Sequence, residues 1–166
     1  MDAIFKRRSV RRFTAEEVPE GLLKKILAAG MAAPSAGNEQ PWFFIVVKDK
    51  KSLKKLSESS PHARPAENAT VAILVCGDLS LERHKGYWVQ DCSAAVENML
   101  IETASLGLGA VWLGIYPMQE RVIFLQKFFS LDPNIVPFAV IPVGYPEQEP
   151  APQERYNESR IHYERW

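Results

Sequence analysis

The chain has 166 residues, 46% hydrophobic and 24% charged, and its 20 Lys and Arg balance 20 Asp and Glu. That length suits one domain with a sizeable core, and the composition excludes disordered or fibrous chains. No apolar run approaches the roughly 20 residues of a membrane helix, the N-terminus is charged rather than apolar as a signal peptide would be, and a pI near 6.8 argues against nucleic-acid binding. The expectation is a single cytoplasmic domain over residues 1–166, with neither membrane nor nucleic acid as a partner.

Residues 2–8 read as a short first helix with Ile4 and Phe5 inward. Its end runs into the main charge feature. Lys6, Arg7, Arg8, Arg11 and Arg12 lie within seven residues with Ser9 among them, so residues 1–13 carry a net +4 on a chain that is otherwise −4. Guanidinium groups stay charged and offer a rigid fork of donors that matches phosphate or carboxylate, and Ser9 adds a neutral donor. The plainer alternative is a solvated basic helix end, and charge alone does not separate the two.

Pro19 suits the first position of a second helix, running to about Ala33, with Leu22, Leu23, Ile26, Leu27 and Met31 on one apolar face. Pro34-Ser35-Ala36-Gly37-Asn38 is a breaker-rich loop. Trp42–Val47 follows as a strand expected to be buried on both faces. Residues 49–59 suggest a polar helix with Leu53 and Leu56 inward, and 61–68 an irregular stretch. Thr70–Cys76 is a second buried strand. The longest helical pattern covers 86–106, where Trp88, Val89, Cys92, Ala95, Val96, Met99, Thr103 and Leu106 recur at helical spacing. A third strand is expected over Leu108–Tyr116, a helix over 118–129 with Val122, Leu125, Phe128 and Phe129 inward, and a fourth strand over Phe138–Tyr145. Pro142 would place that strand at an edge or a bulge. The tail, 146–166, holds Pro146, Pro150 and Pro152 yet ends in Ile161-His162-Tyr163-Glu164-Arg165-Trp166, which is too apolar for a solvated end. Strands alternating with helices point to a layered α/β or α+β domain.

The usual carriers of chemistry are missing. His62, His84 and His162 are scattered, no nucleophile elbow or P-loop occurs, and Cys76 and Cys92 have no metal-ligand spacing and read as core residues. Gly107-x-Gly109 precedes a strand rather than a helix, so it reads as a helix terminator. An anion cradle without an acid, base, nucleophile or metal fits a protein whose cofactor supplies the chemistry.

Three segments together, Arg7-Arg8-Ser9-Val10-Arg11, Ala33-Pro34-Ser35-Ala36-Gly37-Asn38-Glu39-Gln40-Pro41-Trp42, and Trp112-Leu113-Gly114 after a long helix, resemble the nitroreductase family of flavin enzymes in its compact form. The resemblance covers nearly the whole chain. It implies an α+β, three-layer fold with a mixed, mostly antiparallel sheet flanked by helices. It also implies a homodimer with two tightly bound FMN molecules at the interface and the 146–166 segments exchanged. By motif match, Arg7 and Ser9 would hold the phosphate, with Arg8 beside it and the ribityl chain. Arg11 would reach the pyrimidine edge of the ring, where a fixed cation stabilises negative charge. Pro34, Ser35, Ala36 and Asn38 would come from the other subunit, and the Leu113 and Gly114 backbone would lie near N5. Relatives often carry two basic residues in the tail; Arg155 matches the second, but Gln153 stands at the first.

The implied reaction is ping-pong hydride transfer from NAD(P)H through flavin N5 to a nitroaromatic or quinone-like acceptor, with no catalytic side chain. Dehalogenation, flavin destruction and a non-catalytic flavin-binding module remain as alternatives.

Overall fold

The computed structural model describes residues 3–149, 151 and 153–166. Asp2, the expected start of the first helix, and the tail prolines Pro150 and Pro152 lie outside the described residues. The chain runs α1 (Ala3–Lys6), α2 (Glu20–Met31), β1 (Trp42–Val47), α3 (Lys50–Ser57), α4 (Pro65–Asn68), β2 (Val71–Asp78), α5 (Trp88–Ser105), β3 (Gly109–Ala110), β4 (Leu113–Gly114), α6 (Gln119–Phe129) and β5 (Ile135–Gly144). The sheet order is β1-β2-β5-β3, with β4 also on β5. Every ladder is antiparallel, and a parallel bridge from Ser9 to Ala110 makes the sheet mixed. The α+β class and the mostly antiparallel sheet are as expected.

Local chemistry accounts for the elements. All eight residues of β2 are buried, as a continuous apolar run in mid-sheet requires. Asp49 caps α3 by accepting the Ser52 N–H at 2.9 Å, and Leu53 and Leu56 point inward as expected. Helix α5 buries Trp88, Cys92, Ala95, Val96, Met99, Leu100 and Thr103 against the sheet, with α2 packed over it, and Gly107 at φ 74° ends it. Cys76 and Cys92 are fully buried, and loss of water around the Cys76 thiol pushes its pKa up to about 12.

Several expectations fail for physical reasons. Among the described residues β1 pairs with β2 alone, which makes it the sheet edge, and Phe43 and Val46 are exposed instead of buried. Strand β5 is central rather than at an edge. Its Pro142 is tolerated because β3 ends opposite Val143 and β4 begins opposite Val140, which leaves no strand partner there on that side. The register shift lies instead opposite Val75 and Cys76. The single strand expected over 108–116 is split at Val111 and Trp112, between the residues paired with Val143 and Val140, where Pro142 offers no N–H to a ladder. Pro65–Asn68, expected to be irregular, forms the one-turn α4. Ile4, Phe5 and Met31 are exposed rather than inward, since α1 is one turn lying outside α5 and Met31 ends α2. Phe128 and Phe129 are half-buried and pack edge-to-face on each other.

The N-terminal segment is stitched to the sheet beside the site. Val10 donates its N–H to the Ala110 carbonyl at 2.9 Å and packs flat on Gly109, where an added Cβ would come within 2.7 Å of the Val10 side chain. Gly109→Ala is expected to push this segment off β3 and destabilise the protein by about 1–3 kcal/mol, read as a lower urea midpoint with unchanged slope.

Candidate functional site

The five clustered cations divide between tasks. Arg7 Nε lies 3.4 Å from Glu97 on α5, and its side chain is only 22% exposed. Arg8 donates to four main-chain carbonyls: Phe5 at 2.8 Å, Arg7 at 2.7 Å, Ala151 at 3.2 Å and Gln153 at 3.1 Å. It thereby ties the start of the tail to the end of α1. Arg12 pairs with Glu147 at 3.0 Å. Ser9 and Arg11 are exposed, and among the described residues Arg11 makes one long contact, 3.4 Å to the Ser9 carbonyl. Both line an open cleft of about 360 Å³ between the basic segment and the tail.

Gly114 lies further along the same strand edge. Ala110 sits opposite Val143 and Gly114 opposite Ala139, so four β5 residues, about 13 Å, separate them. A Cβ on Gly114 would meet nothing within 4 Å, so its backbone is open to close approach by a flat group. Arg121, in the first turn of α6, donates to the Gly114 carbonyl at 2.9 Å and pins the end of β4; its Nε is buried with no hydrogen-bond partner among the described residues.

The loop after α2 is tightly shaped. Gly37, Asn38 and Gln40 have φ of 53°, 57° and 47°, a left-handed conformation that glycine and asparagine accept more readily than glutamine. The Gln40 N–H donates to Ser35 Oγ at 3.0 Å, and its side-chain amide donates to Asn38 Oδ1 at 3.0 Å. The Ala36 N–H donates to Asp91 Oδ1 at 3.0 Å, and the Arg83 and His84 N–H groups donate to Glu39 Oε2 at 2.7 and 3.1 Å. Glu39 and Asp91 are both buried. Burial raises the Glu39 carboxyl, but the Arg83 and His84 N–H groups and Asp91 outweigh it and leave the pKa below its ordinary value. Burial, then the neighbouring Glu39 and Glu82, hold Asp91 above its ordinary value despite the Ala36 N–H.

Within one chain these parts do not all meet. The loop is fastened at Asp91 in the first turn of α5, whereas Arg7, Arg8 and Val10 share a cavity with Leu100, Ala104 and Leu108 at its far end. Thirteen helical residues from Asp91 to Ala104 span about 20 Å. Pro34, Ser35, Ala36 and Asn38 therefore sit at one end of α5, with Arg7, Arg8, Ser9 and Arg11 at the other. In the exposed tail, Arg155 donates to Gln153 Oε1 at 2.9 and 3.3 Å, so the expected tail cation and the glutamine two places before it bind each other.

Sequence reading missed Glu39, Asp91, Glu97 and Arg121. Asp91 carried a usable signal, an acid on the apolar side of a helix between Trp88 and Ala95. The others had none, because their partners are set by tertiary packing.

Arg8→Ala is expected to free the tail from α1. Trypsin should then cut at Arg155 and Arg160 several-fold faster, with the unfolding midpoint little changed because these hydrogen bonds are mostly exposed; limited proteolysis read by mass spectrometry checks this.

The family model described as the nitroreductase family matches residues 4–71 and 61–145. A Methanothermobacter thermautotrophicus protein, provisionally named NADH dehydrogenase/NAD(P)H nitroreductase, is 48% identical over 100% of this chain and 87% of its own. A Clostridium acetobutylicum protein provisionally named an NADH oxidase has a crystal structure 44% identical, with TM-score 0.97, covering 99% of this chain and 100% of that one. A provisionally assigned nitroreductase of Desulfovibrio desulfuricans, solved in complex with FMN, is 34% identical with TM-score 0.87, covering 99% of this chain and 96% of that one. With the family model matching most of the chain and two of these relatives above 40% identity, the chain belongs to the nitroreductase family, a family of oxidoreductases.

Proposed function

We propose that this chain is an FMN-dependent oxidoreductase that takes hydride from NAD(P)H and passes it to an organic acceptor of nitroaromatic or quinone type, as a homodimer with both flavin sites at the subunit interface. The observation that carries the proposal is the strand edge itself, with Ser9 and the Arg7 cation at one end, the open backbone of Gly114 at the other, and the exposed Arg11 beside them. A ligand with an anionic end and a flat end matches that edge, so the residues present fit FMN. The FMN bound to the Desulfovibrio relative, and the NAD(P)H in the Methanothermobacter relative's name, support the cofactor and donor.

When bound, FMN would supply the hydride-transfer chemistry, accepting hydride from NAD(P)H and passing it to the acceptor. The protein positions and neutralises. Ser9 and Arg7 hold the phosphate, and Arg8 serves the site by fixing the segment that carries them. Arg11 places a positive charge against the pyrimidine edge and favours negative charge there. Leu113 and Gly114 offer backbone to the ring, and Arg121 keeps β4 in place. Pro34, Ser35, Ala36 and Asn38 come from the partner subunit and close the ring and ribityl chain. Arg155 adds a cation from the tail. Phe5 is 77% exposed, Tyr163 76%, and Trp166 fully so; a partner that covers them removes this apolar surface from water. Among the described residues no helix is long and apolar enough to cross a membrane.

The purified protein is expected to show oxidised-flavin absorbance that bleaches anaerobically on addition of NADH or NADPH. Arg11→Ala should slow bleaching by on the order of a hundredfold, in line with removal of a single charge-stabilising group. A colourless protein that takes up no FMN would overturn the proposal.

A further inference from the structure

The buried acids Glu39 and Asp91 have no part in the chemistry just described, yet they touch the loop that carries Pro34, Ser35, Ala36 and Asn38. Each uses one oxygen on main-chain donors: Asp91 Oδ1 takes the Ala36 N–H, and Glu39 Oε2 takes the N–H groups of Arg83 and His84. The other two oxygens, Glu39 Oε1 and Asp91 Oδ2, are buried, and no N–H or O–H of another described residue reaches either. The two carboxyls are instead each other's neighbours. Two ionised carboxylates are acceptors only and repel, whereas one proton between them converts the contact into a short, charge-assisted hydrogen bond.

We propose that Glu39 and Asp91 are positioning residues whose facing carboxyls share one proton, clamping the Pro34–Gln40 loop onto the first turn of α5. The clamp joins three segments: the loop through Glu39 and the Ala36 N–H, the helix through Asp91, and the connection before the helix through Arg83 and His84. Asn38 and above all Gln40 hold left-handed backbone in this loop, which for residues other than glycine persists where the surroundings fix it. The His84 ring reinforces the clamp, since its Nε2 lies 2.7 Å from where a Gly37 Cβ would stand.

The charges around the pair place the proton. Glu82, whose carboxylate accepts the Gly86 N–H, faces Asp91 and disfavours its ionisation, while His84 and two main-chain donors favour a negative Glu39. Asp91 is therefore the acid and Glu39 the carboxylate. The sign of the pH dependence follows. Asp91, raised on folding, contributes stability that is full below its unfolded pKa and is lost as pH rises through its raised folded value. Glu39, lowered on folding, contributes stability that is present above its unfolded pKa and is lost as pH falls through its folded value. The clamp holds between those two limits.

The link to function rests on the flavin reading above, so the test separates the two. Asp91→Asn and Glu39→Gln each leave an amide N–H facing a carboxylate, and each satisfies the same main-chain donors. The double variant sets two NH₂ groups against each other. On apoprotein, both single variants should lose the upper-limit pH dependence and keep thermal stability near wild type, while the double variant should fall well below the sum of the singles. Infrared difference spectra of wild-type apoprotein should show a protonated-carboxyl band that both single variants lack. In FMN titrations the singles should bind within about threefold of wild type, and the double at least about tenfold more weakly. A missing band, or a double variant equal to the sum of the singles, overturns the shared proton whatever FMN does. An unchanged FMN affinity in a folded double variant overturns the positioning role. If the double variant does not fold, the wild-type band still decides. A wild-type protein that binds no FMN contradicts the flavin reading, and the apoprotein measurements then judge the clamp alone.

Discussion

The 18 residues of α5 form a half-buried spacer about 27 Å long, and the separation of the Pro34–Gln40 loop from the basic segment follows from it. Its inner face is locked onto the sheet by Cys92, Ala95, Val96 and Met99, each fully buried. At one end the helix fastens the Pro34–Gln40 loop through Asp91; over its far half lies the basic N-terminal segment, paired at Glu97. A chain folded this way keeps its loop and its arginines apart. On the proposed account a second copy brings them together, which gives the dimer a chemical reason beyond the covering of apolar surface.

Charge in the basic segment is partitioned rather than pooled. Arg8 and Arg12 hold the tail, Arg7 is drawn toward Glu97, and Ser9 and Arg11 are left facing the cleft. A cluster of five cations read as one anion site therefore includes groups already engaged by the chain itself and groups left open to solvent. The acids divide in the same way. Asp78 is a structural turn former, accepting from Ser80 and Asn134, whereas Glu39 and Asp91 hold the loop that the proposal places against the flavin.

What was legible in the sequence was periodic or sharply punctuated. The apolar repeat over 86–106, the runs at 42–47 and 70–76, and the breakers at 34–38 each mark an element through local physics alone. The roles of Trp42–Val47 and Pro142 were misread because edge and centre depend on strand order, which no short window contains. Pro142 is accommodated by a gap two strands away in sequence, between Ala110 and Leu113. Ile4 and Phe5 looked inward because apolar residues usually are; on a one-turn helix outside α5 no described residue of the chain buries them. The candidate site was legible through its three motifs, whose residues the proposal places near a cofactor. They do not reveal that Arg8 is engaged by carbonyls, that Arg121 holds Gly114, or that Glu39 sits beside an acid 52 positions away.

The central claim is that each flavin site is built from two chains, and subunit mixing tests it most directly. One variant carries Arg7→Glu with Arg11→Glu; the other carries Pro34→Trp in the loop. Each alone should bind no FMN. Mixed by co-refolding, half the dimers should be heterodimers with one site assembled from two intact halves, so about a quarter of the wild-type FMN stoichiometry should return. Recovery at that level is what the account predicts; no recovery from well-folded mixed dimers would place the whole site within one chain and contradict it.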